Sequence, residues 1–273
     1  MPVDHVLKLY SKTIQSSFLH YGFWDEPSSI DVNNMTLQDI KDAQIRYIEN
    51  LASYIPHDVN SILDVGCGIG GNTEFLLKKG YEIETLSPDD FQKKVIKEKF
   101  NDKIPFHHCK FENFQVNGKF DMILESESAC YIKIDEGFNR AREILRDGGY
   151  LLASDYFVHF RDTSKSPHQR ASHDLHRYLE SAKERGFDLI KEFDQTDNTM
   201  LTLDYGKHVM ERFIEPTIDY VVYSAKKNYP KTSSIIEKMI EPKVELKKDQ
   251  LDLLDSSLFR KYRKYMIFLF QKV

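Results

Sequence analysis

The sequence predicts an α/β protein built on a doubly wound, mostly parallel sheet. Three observations carry that prediction. From Ser61 onward, short apolar runs alternate with amphipathic stretches at a strand–helix rhythm. The first apolar run ends in a glycine-rich turn that opens directly into a helix, and the chain closes on the strand-like Tyr265-Met266-Ile267-Phe268-Leu269-Phe270. Strands joined by helical crossovers pair in parallel and are covered on both faces, so their apolar runs need not alternate with polar residues.

Each element has its own signal. Residues 1–55 read as a helical N-terminal segment with one break: Val6, Leu7, Leu9, Tyr10, Ile14 and Phe18 keep helical spacing, and Gly22 with Pro27-Ser28-Ser29 interrupts it. Thr36-Leu37-Gln38-Asp39 is a capped start, after which Ile40, Ile45, Ile48, Leu51 and Ile55 follow roughly a helical period. Ile62–Val65 reads as a strand and Thr73–Gly80 as a helix closed by glycine. The rhythm then repeats: strand Tyr81–Leu86, helix Asp89–Phe100, strand Ile104–Phe111, strand Phe120–Leu124, helix Asp135–Leu145 stopped by Asp147-Gly148-Gly149, and strand Tyr150–Ser154. Beyond Tyr156 it breaks. Residues 157–185 read as helical and polar, Gly186–Phe193 as a late strand, and 200–258 as mostly helix broken near Pro230 and Pro242. The expected organisation is a core of 56–160, 186–196 and 259–273. A helical lid of 161–185 and 197–258 bears on the substrate, and 1–55 covers the site.

Composition excludes several classes. Apolar residues make up 41% and charged residues 30%, enough for a substantial core. A formal net charge of −5 offers no footprint for nucleic acid or an anionic membrane. Cys67, Cys109 and Cys130 are odd in number and lack zinc-ligand spacing, which argues against a disulfide framework or a metal site and fits a reducing cytoplasm. No basic-then-apolar leader opens the sequence and no run of eighteen apolar residues occurs, so a cytoplasmic protein without a membrane span is expected. The oligomeric state is left open, a homodimer being one option. Eighteen Phe and fifteen Tyr suit an aromatic-walled pocket for an organic ligand as well as the core.

The glycine turn carries the chemistry. A strand ending in glycines and entering a helix brings backbone N–H groups and the positive helix end close to a ligand. Gly66, Gly68 and Gly71 match G-x-G-x-x-G, so an NAD-dependent oxidoreductase is one reading. Asp64, two residues before the turn, weighs against it: a carboxylate there repels a diphosphate and suits a cationic sulfonium ligand. The turn also follows some sixty residues read largely as helix, instead of opening the chain.

Asp64-Val65-Gly66-Cys67-Gly68-Ile69-Gly70 resembles the E/D-x-G-x-G-x-G motif of class I S-adenosylmethionine-dependent methyltransferases. Further segments resemble the small-molecule enzymes of that group, such as the tocopherol and terpenoid types. Leu19-His20-Tyr21-Gly22-Phe23-Trp24 is similar to their H-x-G-Y/F-W segment, which folds over the cofactor. Thr85-Leu86-Ser87-Pro88 is similar to the T-L-S-P after their second strand, and Ser126-Glu127-Ser128-Ala129-Cys130-Tyr131 to the segment beside the transferred methyl group. Arg146-Asp147-Gly148-Gly149-Tyr150 follows their K/R-P-G-G turn with Asp147 in place of proline. The resemblance implies a seven-stranded Rossmann-like sheet with the last strand antiparallel, and S-adenosyl-L-methionine as cofactor. It implies cofactor contacts from Tyr21, Trp24, Asp64, Gly66, Cys67, Gly68, Thr85, Ser87, Phe111, Glu112 and Glu127. Asp90 stands where relatives have a ribose-binding Gln and is favoured over Glu84. Lys110 replaces the usual adenine-binding Asp.

Methyl transfer needs alignment, exclusion of water and a proton acceptor where the nucleophile carries a proton. The candidates beyond the strand ends are Glu127, as base, cation-stabilising carboxylate or cap, Tyr131, as substrate guide or pocket wall, and His159, as general base or solvated residue. Asp155 is a further candidate or a cap. His168, His173 and His176 are expected on a solvated face, without a third ligand for a metal. The expected activity is methyl transfer to a small organic acceptor at O, N or C; a non-catalytic methyltransferase-like binding module is the remaining alternative.

Overall fold

The computed structural model describes residues 15–116, 120–170, 172–228 and 251–273. Among them, seven strands form one sheet: β1 (Ser61–Val65), β2 (Glu82–Leu86), β3 (Phe106–His107), β4 (Phe120–Ser126), β5 (Leu145–Val158), β6 (Phe187–Asp194) and β7 (Arg263–Lys272). Their spatial order is β3-β2-β1-β4-β5-β7-β6. Strands β1 to β5 pair in parallel, and β7 runs antiparallel to both β5 and β6. The chain moves outward from β1 to β3 and then returns to β4. The carboxyl ends of β1 and β4 therefore flank a switch point, where an open sheet leaves a crevice for a ligand.

Two apolar layers sandwich the sheet. Residues alternate between its faces, so Ile62 joins one layer while Leu63 and Val65 join the other. The first layer packs Tyr47, Ile48 and Leu51 of α1 (Leu37–Ala52), Leu76 of α2 (Gly71–Lys78) and Phe259 of the helix Ser256–Tyr262. The second packs Phe138, Ala141 and Ile144 of α4 (Ile134–Ile144), with Tyr178 and Ala182 of α5 (Leu175–Glu184). Between them in sequence, α3 (Asp90–Phe100) follows β2. The start of α1 is the expected capping box: Thr36 Oγ1 accepts from the Asp39 N–H, and the Asp39 carboxylate accepts from the Thr36 N–H.

The structure differs from the sequence reading in three places. Residues 15–26 are irregular instead of helical, because their polar groups bond outward. Ser16 Oγ accepts from the Phe18 N–H, and the His20 carbonyl accepts from Gln44 Nε2 on α1. The helical spacing read over residues 6–14 lies outside the described residues. Strand β3 is only two residues long; Pro105 before it has no N–H to give a ladder, and the Cys109 N–H turns back onto the His107 carbonyl. Residues 157–185 are not continuously helical. Strand β5 runs on to Val158 because β7 pairs with it as far as Arg263, and only Leu175–Glu184 is α-helix. That helix buries Tyr178, Ser181 and Ala182 against the sheet and so is a layer of the core. The stretch after β6 is helical, as expected, over Leu201–Val209 and Glu215–Asn228, with a π-helical turn at Met210–Ile214, while the breaks expected near Pro230 and Pro242 lie outside the described residues. Among the described residues no helix is long and apolar enough to cross a membrane.

Candidate active site

The glycine turn lies at the end of β1. The Gly66 N–H donates to the Leu86 carbonyl at 2.8 Å, which pins the turn to β2. Gly66 has φ +72, and a Cβ there would lie 2.4 Å from Ser128 Cβ, so both conformation and space demand glycine. At Gly71, which opens α2, a Cβ would lie 2.4 Å from the Ser17 carbonyl oxygen. The irregular segment before α1 is thus laid directly over the helix N-terminus.

A cavity of about 480 Å³ opens here, a size suited to a small organic ligand. Its floor is the turn from Val65 to Ile69, with Gly71 and Asn72 of α2. One wall comes from Leu86 to Asp89 and Gln92 after β2, with Lys110, Phe111 and Glu112 after β3. The other wall is Ser126, Glu127, Ser128, Tyr131 and Ile132 after β4, and Ser17 to His20 form the roof. His20 is buried and stacks on Tyr47 at 4.1 Å; burial lowers its pKa to about 4, so the ring is neutral and structural.

Of the residues named from sequence, Gly66, Cys67, Gly68, Ser87, Phe111, Glu112, Glu127 and Tyr131 line this cavity. Six do not. Asp64 is buried behind the turn and accepts from Thr73 Oγ1 at 2.6 Å, clamping the first turn of α2 to β1; desolvation raises its pKa to about 6. Thr85 is buried and gives its hydroxyl to the Pro105 carbonyl. Trp24 packs with Ile40, Ala43 and Leu201. Tyr21 supplies a backbone N–H to Glu127 rather than a wall. Asp90 turns outward toward His108, 3.3 Å away. His159 is exposed, with Nε2 3.2 Å from the Arg260 carbonyl.

Gln92, two residues on, lines the cavity where Asp90 was expected. Asp89 caps α3 by accepting from the Gln92 N–H at 2.7 Å, and that cap fixes which way the first helical turn faces. Gln92 lines the cavity, and its Oε1 is buried without a hydrogen-bond partner. The signal was in the sequence, since Asp89-Asp90-Phe91-Gln92 has capping-box spacing. Ser17, Phe18 and Asn72 had no comparable local signal, while Ser128 falls in the Ser126–Tyr131 segment already singled out. Glu84 faces the other way and pairs with His107 Nε2 at 2.5 Å.

Glu127 stands at the opposite end. Its backbone is left-handed at φ +51, a conformation that costs a non-glycine residue energy and is held by the Glu127 N–H bonding to the Ser154 carbonyl. Its Oε1 accepts from the Tyr21 N–H at 2.7 Å and from the Tyr265 hydroxyl at 2.6 Å. Desolvation nevertheless outweighs both donors and pushes the carboxyl up to about 7. The turn that follows is fixed from below. Asp155, fully buried, accepts from the Cys130 N–H at 2.9 Å, and burial raises it to about 6. His173 Nε2 lies 2.9 and 2.7 Å from the Ala129 and Ile132 carbonyls. His173 is therefore a clamp and not a solvated residue, and His168 is likewise buried, with Nε2 2.8 Å from the Asp252 carbonyl. The Cys67 thiol is raised well above its usual value by burial, which leaves it inert as a nucleophile at neutral pH.

Comparison with known proteins agrees with this geometry. Residues 63–153 match the family model described as a methyltransferase domain. The chain is 28% identical over 156 residues to the chloroplastic tocopherol O-methyltransferase of Arabidopsis thaliana, a match covering 51% of this chain and 43% of that protein. The match spans about half or less of the length of this relative, of its rice counterpart and of the methyltransferase GfsG of Streptomyces halstedii. Among solved structures, geranyl diphosphate C-methyltransferase from Streptomyces coelicolor superposes with a TM-score of 0.69 over 100% of both chains at 12% identity. The cyclase SpnF does so at 0.67 over 100% of this chain and 98% of its own, at 15% identity. At such identities these two speak for the fold alone. Sheet order and glycine turn are those of this fold, and residues 63–153 of the chain form a methyltransferase domain.

Proposed function

We propose that the chain transfers a methyl group from S-adenosylmethionine to a small organic acceptor. The observation that carries this reading is the pairing, in one cavity, of a glycine turn at a helix N-terminus with a desolvated carboxylate, Glu127, at the other end. The residues present fit the cofactor. Backbone N–H groups of the turn suit its carboxylate. Phe111 and Leu86 offer apolar surface for the adenine, and Gln92 offers its orphaned acceptor to a ribose hydroxyl. Lys110 cannot accept from the adenine amino group, so that contact would fall to Glu112 or to a backbone carbonyl of the wall.

When bound, the cofactor supplies an electrophilic methyl group on a sulfonium. The chain's own part is to align the acceptor, keep water out beneath the Ser17–His20 roof, and take the proton that an O–H or N–H acceptor must lose. Glu127 suits that last task, and Tyr131, 81% exposed at the cavity mouth, suits contact with the acceptor. His159 is displaced from the role, since it lies outside the cavity. The free thiols Cys67, Cys109 and Cys130 fit a reducing compartment, and we assign the protein to the cytoplasm. The excess of acidic residues favours a small-molecule partner over nucleic acid.

The test has two stages. Calorimetric titration should give binding of S-adenosylhomocysteine in the micromolar range and none of NAD; binding of NAD alone would overturn the reading. Incubation with methyl-labelled S-adenosylmethionine and a metabolite extract should then move label into a small molecule, and label that stays on the donor across a broad extract would count against transfer.

A further inference from the structure

Glu127 is tied to the last strand of the sheet through a buried line of hydroxyls. Both donors to its carboxylate fall on Oε1, the Tyr21 N–H and the Tyr265 hydroxyl. The Tyr265 oxygen lies 3.1 Å from the Tyr47 hydroxyl on α1. Tyr47 is 2.6 Å from Ser154 Oγ on β5, and Ser154 in turn takes a hydrogen bond from Gln195 Nε2 at 2.9 Å. Tyr265, Tyr47, Ser154 and Gln195 are all at most 1% exposed.

The direction of this line follows from proton counting. A carboxylate can only accept, so the single Tyr265 proton goes to Glu127. Tyr265 must then accept from Tyr47, Tyr47 from Ser154, and Ser154 from Gln195 Nε2, an amide nitrogen that only donates. Every proton points toward Glu127. Because the line starts at an amide, it does not carry protons away; it presents a polarised donor. The tyrosines lie among apolar neighbours where phenylalanine would pack equally well, so their hydroxyls are costly there unless bonded.

We propose that Tyr265, backed by Tyr47, is the positioning residue for Glu127. It holds Oε1, leaves Oε2 as the oxygen that meets the acceptor, and keeps the carboxylate available as a base at neutral pH. This rests on the methyl-transfer reading for its purpose but not for its test. Tyr265 lies 138 residues from Glu127 in sequence and outside the matched methyltransferase domain. The groups that face Glu127 from the packed elements are Tyr21 of the roof, Tyr47 of α1, Cys130 of the following turn, Asp155 and Tyr156 of β5, and Tyr265 of β7. Among them Asp155 opposes ionisation, whereas the Tyr21 and Tyr265 donors favour it.

The experiment reads the carboxyl directly and needs no acceptor. Full-length protein labelled with 13C at glutamate Cδ is titrated by NMR, and Glu127→Gln identifies the resonance. Tyr265→Phe should move the ionisation midpoint of Glu127 upward by about one pH unit, a tenfold loss of the ionised form at a fixed lower pH. Tyr47→Phe should move it the same way by less, about two- to threefold in that population. An unchanged midpoint in folded Tyr265→Phe overturns the proposal; if that variant does not fold, an unchanged midpoint in Tyr47→Phe does so. Titrating S-adenosylhomocysteine into the same samples separates the two readings: a shifted midpoint in a protein that ignores this ligand would sink the methyl-transfer reading and leave the positioning role standing.

Discussion

On the proposed methyl-transfer reading, two side chains divide the cavity's work, Glu127 toward the acceptor and Gln92 toward the nucleoside, and each makes its own prediction. Glu127→Gln keeps the shape and an oxygen for both donors, so the fold and S-adenosylhomocysteine affinity should stay within about threefold. Transfer to an acceptor that must lose a proton should fall by about 10² or more, the usual loss when a general base is removed. Since the carboxyl titrates near 7 and acts when ionised, the wild-type rate should rise with pH through about 7 and level off above it. A Glu127→Gln enzyme that keeps that rise would show that another group is titrating. Gln92→Leu removes an unpaired buried acceptor. It should therefore leave thermal stability unchanged or slightly higher while weakening S-adenosylhomocysteine about tenfold, as a lost hydrogen bond of about 1.4 kcal/mol does. Glu127 was legible in the sequence because it follows a strand end within a motif. Gln92 was passed over for Asp90 because the facing of a helix depends on its cap, and Tyr265 was invisible because nothing local links positions so far apart.

At the scale of elements, the site is a glycine turn with a strap laid across it. Gly71→Ala should show this, since the added Cβ would meet the Ser17 carbonyl at 2.4 Å and one of the two must move. Alanine is tolerated at the start of a helix, so the helix should survive while the strap shifts. The expected outcome is an unchanged far-UV spectrum with S-adenosylhomocysteine binding weakened by about tenfold or more; full affinity would mean that the strap does not seal the site. The elements that were legible are those whose signals are local, such as β1 with its turn, the Thr36–Asp39 box and α4 stopped before Gly148-Gly149. Thr36→Ala tests the second of these and should cost about 1 kcal/mol, seen as a lower melting temperature. The misread elements depend on distant partners. Phe157 and Val158 are strand because Lys264 and Arg263 pair with them, and residues 15–26 are irregular because α1 and Glu127 claim their backbone groups.

Across the whole molecule, burial holds several carboxyl groups back from ionising. Desolvation is the largest cause in each case: Glu125 is pushed up to about 8, Glu127 to about 7, Asp155 and Asp64 to about 6. Between the ordinary carboxyl range and those values the folded chain holds protons that the unfolded chain has released, so stability falls as pH rises from about 4 to about 8. Other carboxyls act in the opposite sense. Glu74 and Asp255 are lowered to about 2 by their hydrogen-bond and ion-pair partners, and their contribution is lost as pH falls below about 4. The melting temperature should therefore peak in mildly acidic solution and decline toward pH 8. Glu125 isolates the effect, because it lies outside the cavity, is 4% exposed and, among the described residues, accepts a side-chain hydrogen bond from the Tyr178 hydroxyl alone, at 3.4 Å. Glu125→Gln removes the ionisation with little change of shape. It should flatten the decline between pH 6 and 8 and raise the melting temperature at pH 8 by at least about 2–4 °C, the equivalent of about 1 kcal/mol. Parallel melting curves for the two proteins over that range would mean that Glu125 is ionised in the fold at neutral pH, with a partner other than Tyr178 stabilising its charge.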